Sequence, residues 1–227
     1  MGIEISNFKL AIGVPLTWTH VPSGYFDTFA KMKKPDYIHL RADNGPIDEL
    51  RNNLVERALD SGCSHLLMLD TDHLLHPMVI PSLLAHKLPI VSALTFRRYP
   101  PFDPIMLKGR INNYTIIDEW EPNSLVEVDA TGTGIIMYEM GVFLNMKPPW
   151  FKFRKNPSKK LRDKPDTIVG EDIGFCSRLK NAGYKIFVDT AVPCKHLSMF
   201  AVCEQTYQLY KRVKMAQREV YGSSEYD

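Results

Sequence analysis

The sequence predicts an α/β fold in which a mostly parallel sheet is flanked by helices. Residues 65–69 form a short apolar run after the turn-prone Ser61-Gly62, which is typical of a strand buried on both faces inside a parallel sheet. Before it, residues 47–59 repeat apolar side chains at helical spacing, and residues 36–40 fit another strand. Strand, helix and strand in this order indicate a right-handed crossover and a parallel pair.

The composition indicates an ordinary globular protein. The 227 residues are 44% hydrophobic and 24% charged, and their net charge is +2. Because a chain of this length buries roughly 70% of its extended surface, one domain over residues 1–227 is expected. The nearly neutral charge gives no indication of a nucleic-acid backbone as partner.

The cysteines and the apolar runs predict a cytoplasmic protein without a membrane span. The four cysteines show no C-x-x-C pair and no regular spacing, so free thiols in a reducing compartment are expected. No apolar run approaches the ~18 residues of a spanning helix. The first ten residues contain Glu4 where a signal peptide would have its apolar core.

The elements of the first half, about residues 9–98, follow in order. A first strand is predicted over residues 9–14, and it ends in a loop that begins at Pro15. Residues 25–32 fit a short helix, but the segment mixes proline, glycine and aromatic residues and is left open. After the central strand, residues 77–86 indicate a helix and residues 88–96 another buried strand.

The pattern changes in the second half, about residues 99–199. Between residues 102 and 128, short apolar stretches are separated by turn residues, which predicts hairpins in a smaller, irregular β-rich half. Residues 171–183 then indicate a helix and residues 184–189 a strand. Residues 200–227 are expected to contain an amphipathic C-terminal helix that packs against the domain.

The central strand ends abruptly in Asp70-Thr71-Asp72. Residues i and i+2 of an extended chain project to the same side, so Asp70 and Asp72 can both face one cation at the carboxyl end of the strand. Open α/β sheets bind ligands at that edge, and paired carboxylates suit a hard divalent ion. An acidic turn that caps the helix near Pro77 explains the same residues.

A second acidic motif begins a predicted helix at Glu171-Asp172. The helix dipole favours ionised carboxylates in a first turn, and a fixed carboxylate can act as a general base. A plain charge preference at a helix N-terminus is the simpler explanation. His196 follows the next strand, where a single histidine is typical of a surface or capping residue.

Two further segments each have two explanations. Gly132 and Gly134 allow the backbone to pass close to a bound group, but a tight turn requires glycine equally well. Residues 148–165 hold seven Lys and Arg residues and three aromatic residues. They fit either a solvated loop or a mobile cationic lid over phosphates or an acceptor.

The order of these motifs resembles that of the GT-A fold glycosyltransferases, especially the inverting enzymes related to family two. The resemblance covers most of the chain from Lys9 to about His196. It depends on separate landmarks in the expected order: Arg51-Asn52, Leu69-Asp70-Thr71-Asp72, Gly132-x-Gly134, Gly170-Glu171-Asp172 with Phe175-Cys176-x-Arg178, Gly183-Tyr184 and His196.

The resemblance implies a Rossmann-like GT-A sheet, a nucleotide-binding first half and an acceptor-binding second half. It implies a metal-dependent transfer of a sugar from a nucleotide diphosphate sugar, expected to be a UDP-sugar, to an acceptor hydroxyl. By similarity, Asp72 and His196 would be ligands of Mn2+ or Mg2+, and Asp70 would lie near the metal or the donor ribose. Asp172 would be the base, and Glu171 would orient the acceptor.

The same resemblance implies a set of residues around the nucleotide base. Pro15, Thr17 and Asp43 would lie near the base, and Arg51 would lie close by. The donor sugar, the acceptor and the oligomeric state are not specified. The acceptor could be a protein, a glycan or a modified nucleic-acid base, and either inversion or retention is compatible with these motifs.

Two other functions fit parts of the pattern. A non-catalytic GT-A-like module could bind a nucleotide or a glycan, although both acidic motifs are intact. A sugar-nucleotide pyrophosphorylase shares the α/β plan and the use of a metal. It would be expected to have a Gly-rich, Arg-containing loop after the first strand, and residues 13–18 do not form one.

Overall fold

The structure is a computed structural model that describes residues 8–155, 168–199, 203–204, 206–209 and 211–213. Its contacts divide the chain into two compact units, Met1–Leu197 and Ser198–Asp227. Within the second unit, residues 206–209 and 211–213 are helical, and the rest of the predicted C-terminal helix lies almost entirely outside the described residues. The basic segment 148–165 also lies mostly outside them.

Among the described residues of the first unit, eighteen helices and strands are assigned. The helices are α1 (Ser23–Lys31), α2 (Ile47–Asp60), α3 (Val79–Ala85), α4 (Met140–Leu144) and α5 (Glu171–Asn181). The strands are β1 (Leu10–Leu16), β2 (Tyr37–Asp43), β3 (His65–Leu69), β4 (His73–Leu74), β5 (Ile90–Ala93), β6 (Leu107–Arg110), β7 (Asn113–Ile116), β8 (Leu125–Val128), β9 (Ile135–Glu139), β10 (Arg154–Lys155), β11 (Ile168–Val169), β12 (Ile186–Asp189) and β13 (Lys195–His196).

A seven-stranded sheet in the order β2-β1-β3-β9-β5-β12-β8 organises the unit. Strands β2, β1, β3, β5 and β12 run in one direction, while β9 and β8 are antiparallel to their neighbours. The predicted mostly parallel α/β sheet is therefore confirmed. Strands from both predicted halves share this one sheet, whereas β6 and β7 form a separate hairpin within the irregular segment, as expected.

Helices cover both faces of the sheet and enclose two apolar cores. On one face, α2, α4 and α5 contribute Leu54, Phe143 and Phe175 to the larger core. On the other face, α1 and α3 pack against the remaining strand side chains. Strand β3 lies between β1 and β9, and Leu66 through Leu69 are fully buried, as expected for a central strand.

The structure bears on the expected free cysteines and on the expected absence of a membrane span. The four cysteines are free, and three of them are buried. Among the residues that the structure describes, no helix is both long enough and apolar enough to cross a bilayer.

Asn52 on α2 attaches the chain after α4 to the sheet. Its side-chain amide donates to the carbonyls of Asp48 and Phe151, each at 2.7 Å. Its carbonyl oxygen accepts from the backbone N–H groups of Trp150, at 2.8 Å, and Phe151, at 3.1 Å. Trp150 and Phe151 are buried, so Asn52 satisfies backbone groups that water does not reach.

Replacing Asn52 by Ala is expected to lower the free energy of unfolding by about 2 to 3 kcal/mol, because it leaves buried donors and an acceptor without partners. Urea denaturation measures the loss. The matched control is Asn53→Ala, since the Asn53 side chain is exposed on the same helix and is expected to change stability by less than about 0.5 kcal/mol. Equal losses from the two substitutions would contradict this role.

Candidate active site

The carboxyl ends of β1, β2 and β3 meet at one edge of the sheet. Pro15 is buried in β1 opposite Ala42, and Asp43 is the last residue of β2. Asp43 is partly exposed and pairs with Arg41 at 3.1 Å. Thr17 follows β1 and is exposed. The residues predicted to surround the nucleotide base thus lie along the edge at which β3 ends.

A two-stranded antiparallel ribbon adjoins this edge. Strands β4 and β13 pair so that His73 lies directly opposite His196. The two imidazole rings stack with centroids 4.2 Å apart and planes inclined by 20°. The backbone N–H of Leu197 donates to the carbonyl of Asp72 at 2.7 Å, which extends the pairing by one bond. The ribbon therefore brings His196 to the first acidic motif across 124 residues of chain.

Asp72, His73 and His196 form a cluster that could hold a metal ion. One ligand atom from each residue lies within 4.8 Å of the others. Asp72 Oδ2 is 3.1 Å from His196 Nε2, and Asp72 Oδ1 is 3.0 Å from His73 Nδ1. Arg98 Nη1 lies 3.3 Å from Asp72 Oδ2.

The hydrogen bonds of His196 determine which of its nitrogens can face a cation. His196 Nδ1 lies 2.8 Å from the carbonyl oxygen of Phe96. A carbonyl only accepts, so Nδ1 carries a proton and Nε2 is directed to Asp72. This is the usual arrangement of a metal-binding histidine, whose second nitrogen donates to a carbonyl or carboxylate that fixes the ring.

Two atoms of the cluster are buried and make no hydrogen bond in the described structure: Asp72 Oδ1 and His73 Nδ1. They are only 3.0 Å apart, but their geometry is not that of a hydrogen bond. Leaving such groups unsatisfied costs about 1 to 3 kcal/mol each. A divalent cation between them would satisfy both, so the residues fit a metal. A carboxylate with two imidazoles suits first-row transition ions better than Mg2+.

Without a cation, the neighbours of Asp72 hold it in its charged form. Burial alone would raise the pKa of Asp72, but the hydrogen bond from His196 and the adjacent imidazole of His73 lower it well below its usual range. Burial alone would lower the pKa of His196, but its bonds to Asp72 and to the Phe96 carbonyl raise it. Asp72 is therefore ionised whenever the protein is folded near neutral pH.

Asp70 does not belong to this cluster, because its carboxylate pairs with Arg51. Arg51 Nη2 lies 2.8 Å from one oxygen of Asp70 and 3.1 Å from the other. Arg51 Nη1 donates to Glu171 from the same guanidinium, which is only 4% exposed. Although burial disfavours its charged form, the carboxylates of Asp70, Glu171 and Asp172 raise the pKa of Arg51. The predicted nucleotide-binding residue Arg51 thus links the two acidic motifs.

Glu171 and Asp172 occupy the first turn of α5, as predicted from the motif. Glu171 is buried against Arg51, whereas Asp172 is partly exposed. Asp172 Oδ1 accepts from the backbone N–H of Ile173 at 2.6 Å. Burial raises the pKa of both carboxyl groups, and the nearby Arg51 opposes that rise. Asp172 is therefore more basic than an exposed aspartate.

The two glycines before β9 lie against the side chains of the site. A Cβ atom at Gly134 would be 2.6 Å from His73 Cε1 and 3.4 Å from Asp70 Oδ2. A Cβ atom at Gly132 would make ordinary contacts, 3.9 Å from Asp172 Oδ2 among them. The Cα atoms of Gly132 and Gly134 are at most about 7 Å apart, since they are two residues apart in the chain. Gly132 adjoins Asp172 and Gly134 adjoins His73, so this segment lies between the two side chains.

Sequence reasoning missed His73 and Arg98. His73 immediately follows the acidic motif, which was the available signal, but its ligand role depends on pairing between two strands of two residues each. Arg98 lies in a loop after β5. The spacing of residues along a loop does not show which distant side chains they contact, so its approach to Asp72 could not be predicted. A separate cleft of about 480 Å³ lies between β2 and α2 and includes Asp43, Arg41 and Glu49 in its lining.

Replacing Gly134 by Ala is expected to weaken binding of Mn2+ by at least about 10-fold, because the added methyl group displaces His73. Isothermal titration calorimetry measures the affinity. The matched control is Gly132→Ala, for which there is space, and it is expected to bind Mn2+ as the unaltered protein does. His73→Ala should repeat the loss without adding bulk. Unchanged affinity in Gly134→Ala and His73→Ala would exclude His73 as a ligand.

Replacing Arg51 by Gln is expected to cost about 3 to 5 kcal/mol of unfolding free energy at pH 8, because two carboxylates lose their cation. The loss should be smaller at pH 5. A carboxyl group whose pKa is raised in the folded state, as that of Glu171 is, destabilises the fold increasingly as pH rises.

Urea denaturation at the two pH values measures the effect of Arg51→Gln. The matched control is Arg41→Gln, which removes an arginine from an exposed pair and is expected to cost less than about 1 kcal/mol at either pH. A loss for Arg51→Gln that does not depend on pH would contradict the electrostatic explanation.

The sequence matches no protein-family model and no curated protein. The fold is similar to solved structures. A crystal structure of A197 from STIV has a TM-score of 0.57 and 14% identity, with coverage of 84% of this chain and 86% of that chain. A crystal structure of GalNAc-T7 with UDP, GalNAc and Mn2+ has a TM-score of 0.59 and 10% identity, with coverage of 92% of this chain.

At these identities the likeness establishes the fold alone. The chain has a large, mostly parallel sheet flanked by helices, as a GT-A glycosyltransferase has. It spans about half of the GalNAc-T7 chain, since the match covers 48% of that chain.

Proposed function

We propose that the protein is a metal-dependent glycosyltransferase that moves a sugar from a nucleotide diphosphate sugar to an acceptor hydroxyl. One observation carries the proposal. Asp72, His73 and His196 form a cluster with buried, unsatisfied ligand atoms, and the segment from Gly132 to Gly134 connects it with Asp172. A cation site and a basic carboxylate that are close together match the two demands of sugar transfer.

The first demand is charge on the departing diphosphate. Asp72, His73 and His196 would hold Mn2+ or Mg2+, with Asp70 beside them, and the ion supplies Lewis-acid stabilisation of the leaving group. Arg98 adds a positive charge at the same place, since it lies 3.3 Å from Asp72. The edge formed by β1 and β2, with Pro15, Thr17 and Asp43, would receive the nucleotide.

The second demand is removal of a proton from the acceptor hydroxyl. Asp172 would take that proton, because it is partly exposed and burial raises its pKa. Glu171 is buried against Arg51 and would position the first turn of α5. If base and leaving group lie on opposite sides of the anomeric carbon, the sugar transfers with inversion.

The nature of the donor is proposed from the structural neighbour. GalNAc-T7 was crystallised with UDP, GalNAc and Mn2+, and it shares this fold. A UDP-sugar is therefore the first donor to test.

Incubating the purified protein with Mn2+ and a panel of UDP- and GDP-sugars tests the proposal, with release of nucleoside diphosphate as the measurement. We expect release from at least one UDP-sugar. Asp172→Asn should lower that rate by about 100- to 10,000-fold, because it removes the base, and should leave the protein folded and its Mn2+ affinity unchanged.

The control for Asp172→Asn is Asp118→Asn, an equivalent change at an exposed position, which should keep the full rate. No release from any donor by the unaltered protein would contradict the transferase proposal and favour a binding module. Full activity of Asp172→Asn would exclude Asp172 as the base.

A further inference from the structure

The loop between β5 and β6 is a closed, internally bonded structure. Phe96 and Pro104 form an antiparallel bridge, and the N–H of Arg97 donates to the carbonyl of Asp103 at 2.8 Å. Nearer the tip, the N–H of Phe102 donates to the carbonyl of Tyr99 at 2.9 Å. We refer to residues 96–105 as the 96–105 loop. Because its ends are bonded to each other, the loop has a defined shape rather than an extended one.

Each end of the 96–105 loop contacts one half of the candidate site. At one end, the carbonyl of Phe96 accepts the hydrogen bond of His196 Nδ1. At the other end, the side chain of Ile105 lies 3.6 Å from where a Cβ of Gly132 would be, and Gly132 adjoins Asp172. The base of the loop therefore contacts both the metal cluster and the segment beside the proposed base.

The tip of the loop presents two aromatic side chains to solvent. Tyr99 is 67% exposed and Phe102 is 44% exposed. The guanidinium carbon of Arg98 lies 5.9 Å from the centre of the Tyr99 ring, while Arg98 also reaches Asp72. These rings offer a ligand flat apolar surface beside a polar site.

The backbone at Phe102 is strained in a way that points to the same use. Its φ is 63°, in the left-handed region that bulky residues rarely adopt. Such a conformation costs about 1 to 3 kcal/mol and concentrates at functional sites. Glycine would relieve the strain, so the phenyl ring is present at a measurable cost to the fold.

We propose that the 96–105 loop binds the acceptor and that the acceptor is a carbohydrate whose pyranose ring stacks on Tyr99 and Phe102. This inference rests on the transferase function proposed above. One face of a pyranose carries axial C–H groups that pack on aromatic rings, while its equatorial hydroxyls project sideways from the ring. A ring stacked on the loop could therefore direct a hydroxyl to Asp172, which adjoins the end of the loop.

Other acceptors fit this geometry less well. An unmodified nucleic-acid base can stack on aromatic side chains, but it has no hydroxyl in its plane. A modified base that carries a hydroxyl has both features, so 5-hydroxymethylcytidine is titrated beside the saccharides, and its binding in place of a saccharide would overturn the proposal. A serine or threonine side chain of a protein has a hydroxyl but no flat apolar face. The combination of a stacking surface and a nearby proton acceptor is met by a saccharide.

Binding without any donor tests the proposal. Labelled protein is applied to an array of defined oligosaccharides, and each hit is titrated by saturation-transfer difference NMR. We expect binding in which the C–H protons of one sugar face receive most of the saturation. Tyr99→Ala and Phe102→Ala should each weaken binding by about 3- to 10-fold, in line with the worth of an aromatic contact. Tyr99→Phe keeps the aromatic ring and should bind the saccharide as tightly as the unaltered protein does.

The matched control is Phe8→Ala. Phe8 is 53% exposed but packs on His65 at the opposite end of β3, so its removal should not affect saccharide binding. Adenosine and a Ser/Thr-containing peptide are titrated in parallel. The proposal is overturned if no saccharide binds, if adenosine or the peptide binds instead, or if both alanine variants bind saccharides as tightly as the unaltered protein.

A second readout separates this proposal from the transferase proposal. With a donor that the protein hydrolyses, the saccharide should be glycosylated, and Tyr99→Ala should raise its KM more than it lowers kcat. Absence of donor hydrolysis would contradict the transferase function, while the binding titration still decides whether the loop recognises saccharides. Donor hydrolysis together with saccharide binding that Tyr99 and Phe102 do not influence would overturn the loop proposal alone.

Discussion

The structure depends most on one buried cation. The guanidinium of Arg51 contacts Asp70, 19 residues further on, and Glu171, 120 residues further on. It thereby ties α2 to the end of β3 and to the start of α5. Removing an arginine from water costs several kcal/mol, and partners on both sides are needed to offset that cost. The position of both acidic motifs is therefore a consequence of a single side chain that the fold cannot leave unpaired.

This arrangement explains how four carboxylates can share one edge of a sheet. Asp70 and Glu171 are neutralised from the protein interior by Arg51. Asp72 is balanced from the other side by His196 and Arg98. Asp172 accepts a hydrogen bond from the backbone N–H of Ile173, and burial raises its pKa while the nearby Arg51 opposes that rise. Asp70 and Glu171 therefore make direct ion pairs with Arg51, whereas Asp172 interacts with the guanidinium only through its charge.

Much of the fold could be predicted from the sequence, because its signals are local. The apolar run of β3 and the helical spacing of α2 fix a parallel pair without any knowledge of the rest of the chain. The site was predictable only in part. Asp72 and His196 do come together, as the resemblance implied. The β4–β13 ribbon leaves no pattern in sequence, since strands of two residues have no periodicity, and the antiparallel direction of β9 depends on pairing with strands that are distant in sequence. His73 was missed for that reason, and the link through Arg51 was missed because nothing local distinguishes a buried arginine on a helix.

The β4–β13 ribbon also affects when the candidate cluster can form during synthesis. Strand β13 is the last strand assigned in the structure, and it supplies His196. During synthesis on the ribosome, the sheet strands and Asp72 with His73 are made well before residue 196. A nascent chain that has reached β12 possesses two of the three candidate ligands, and a single carboxylate and imidazole hold a divalent ion only weakly. The candidate cluster is consequently complete only when the first unit is nearly synthesised.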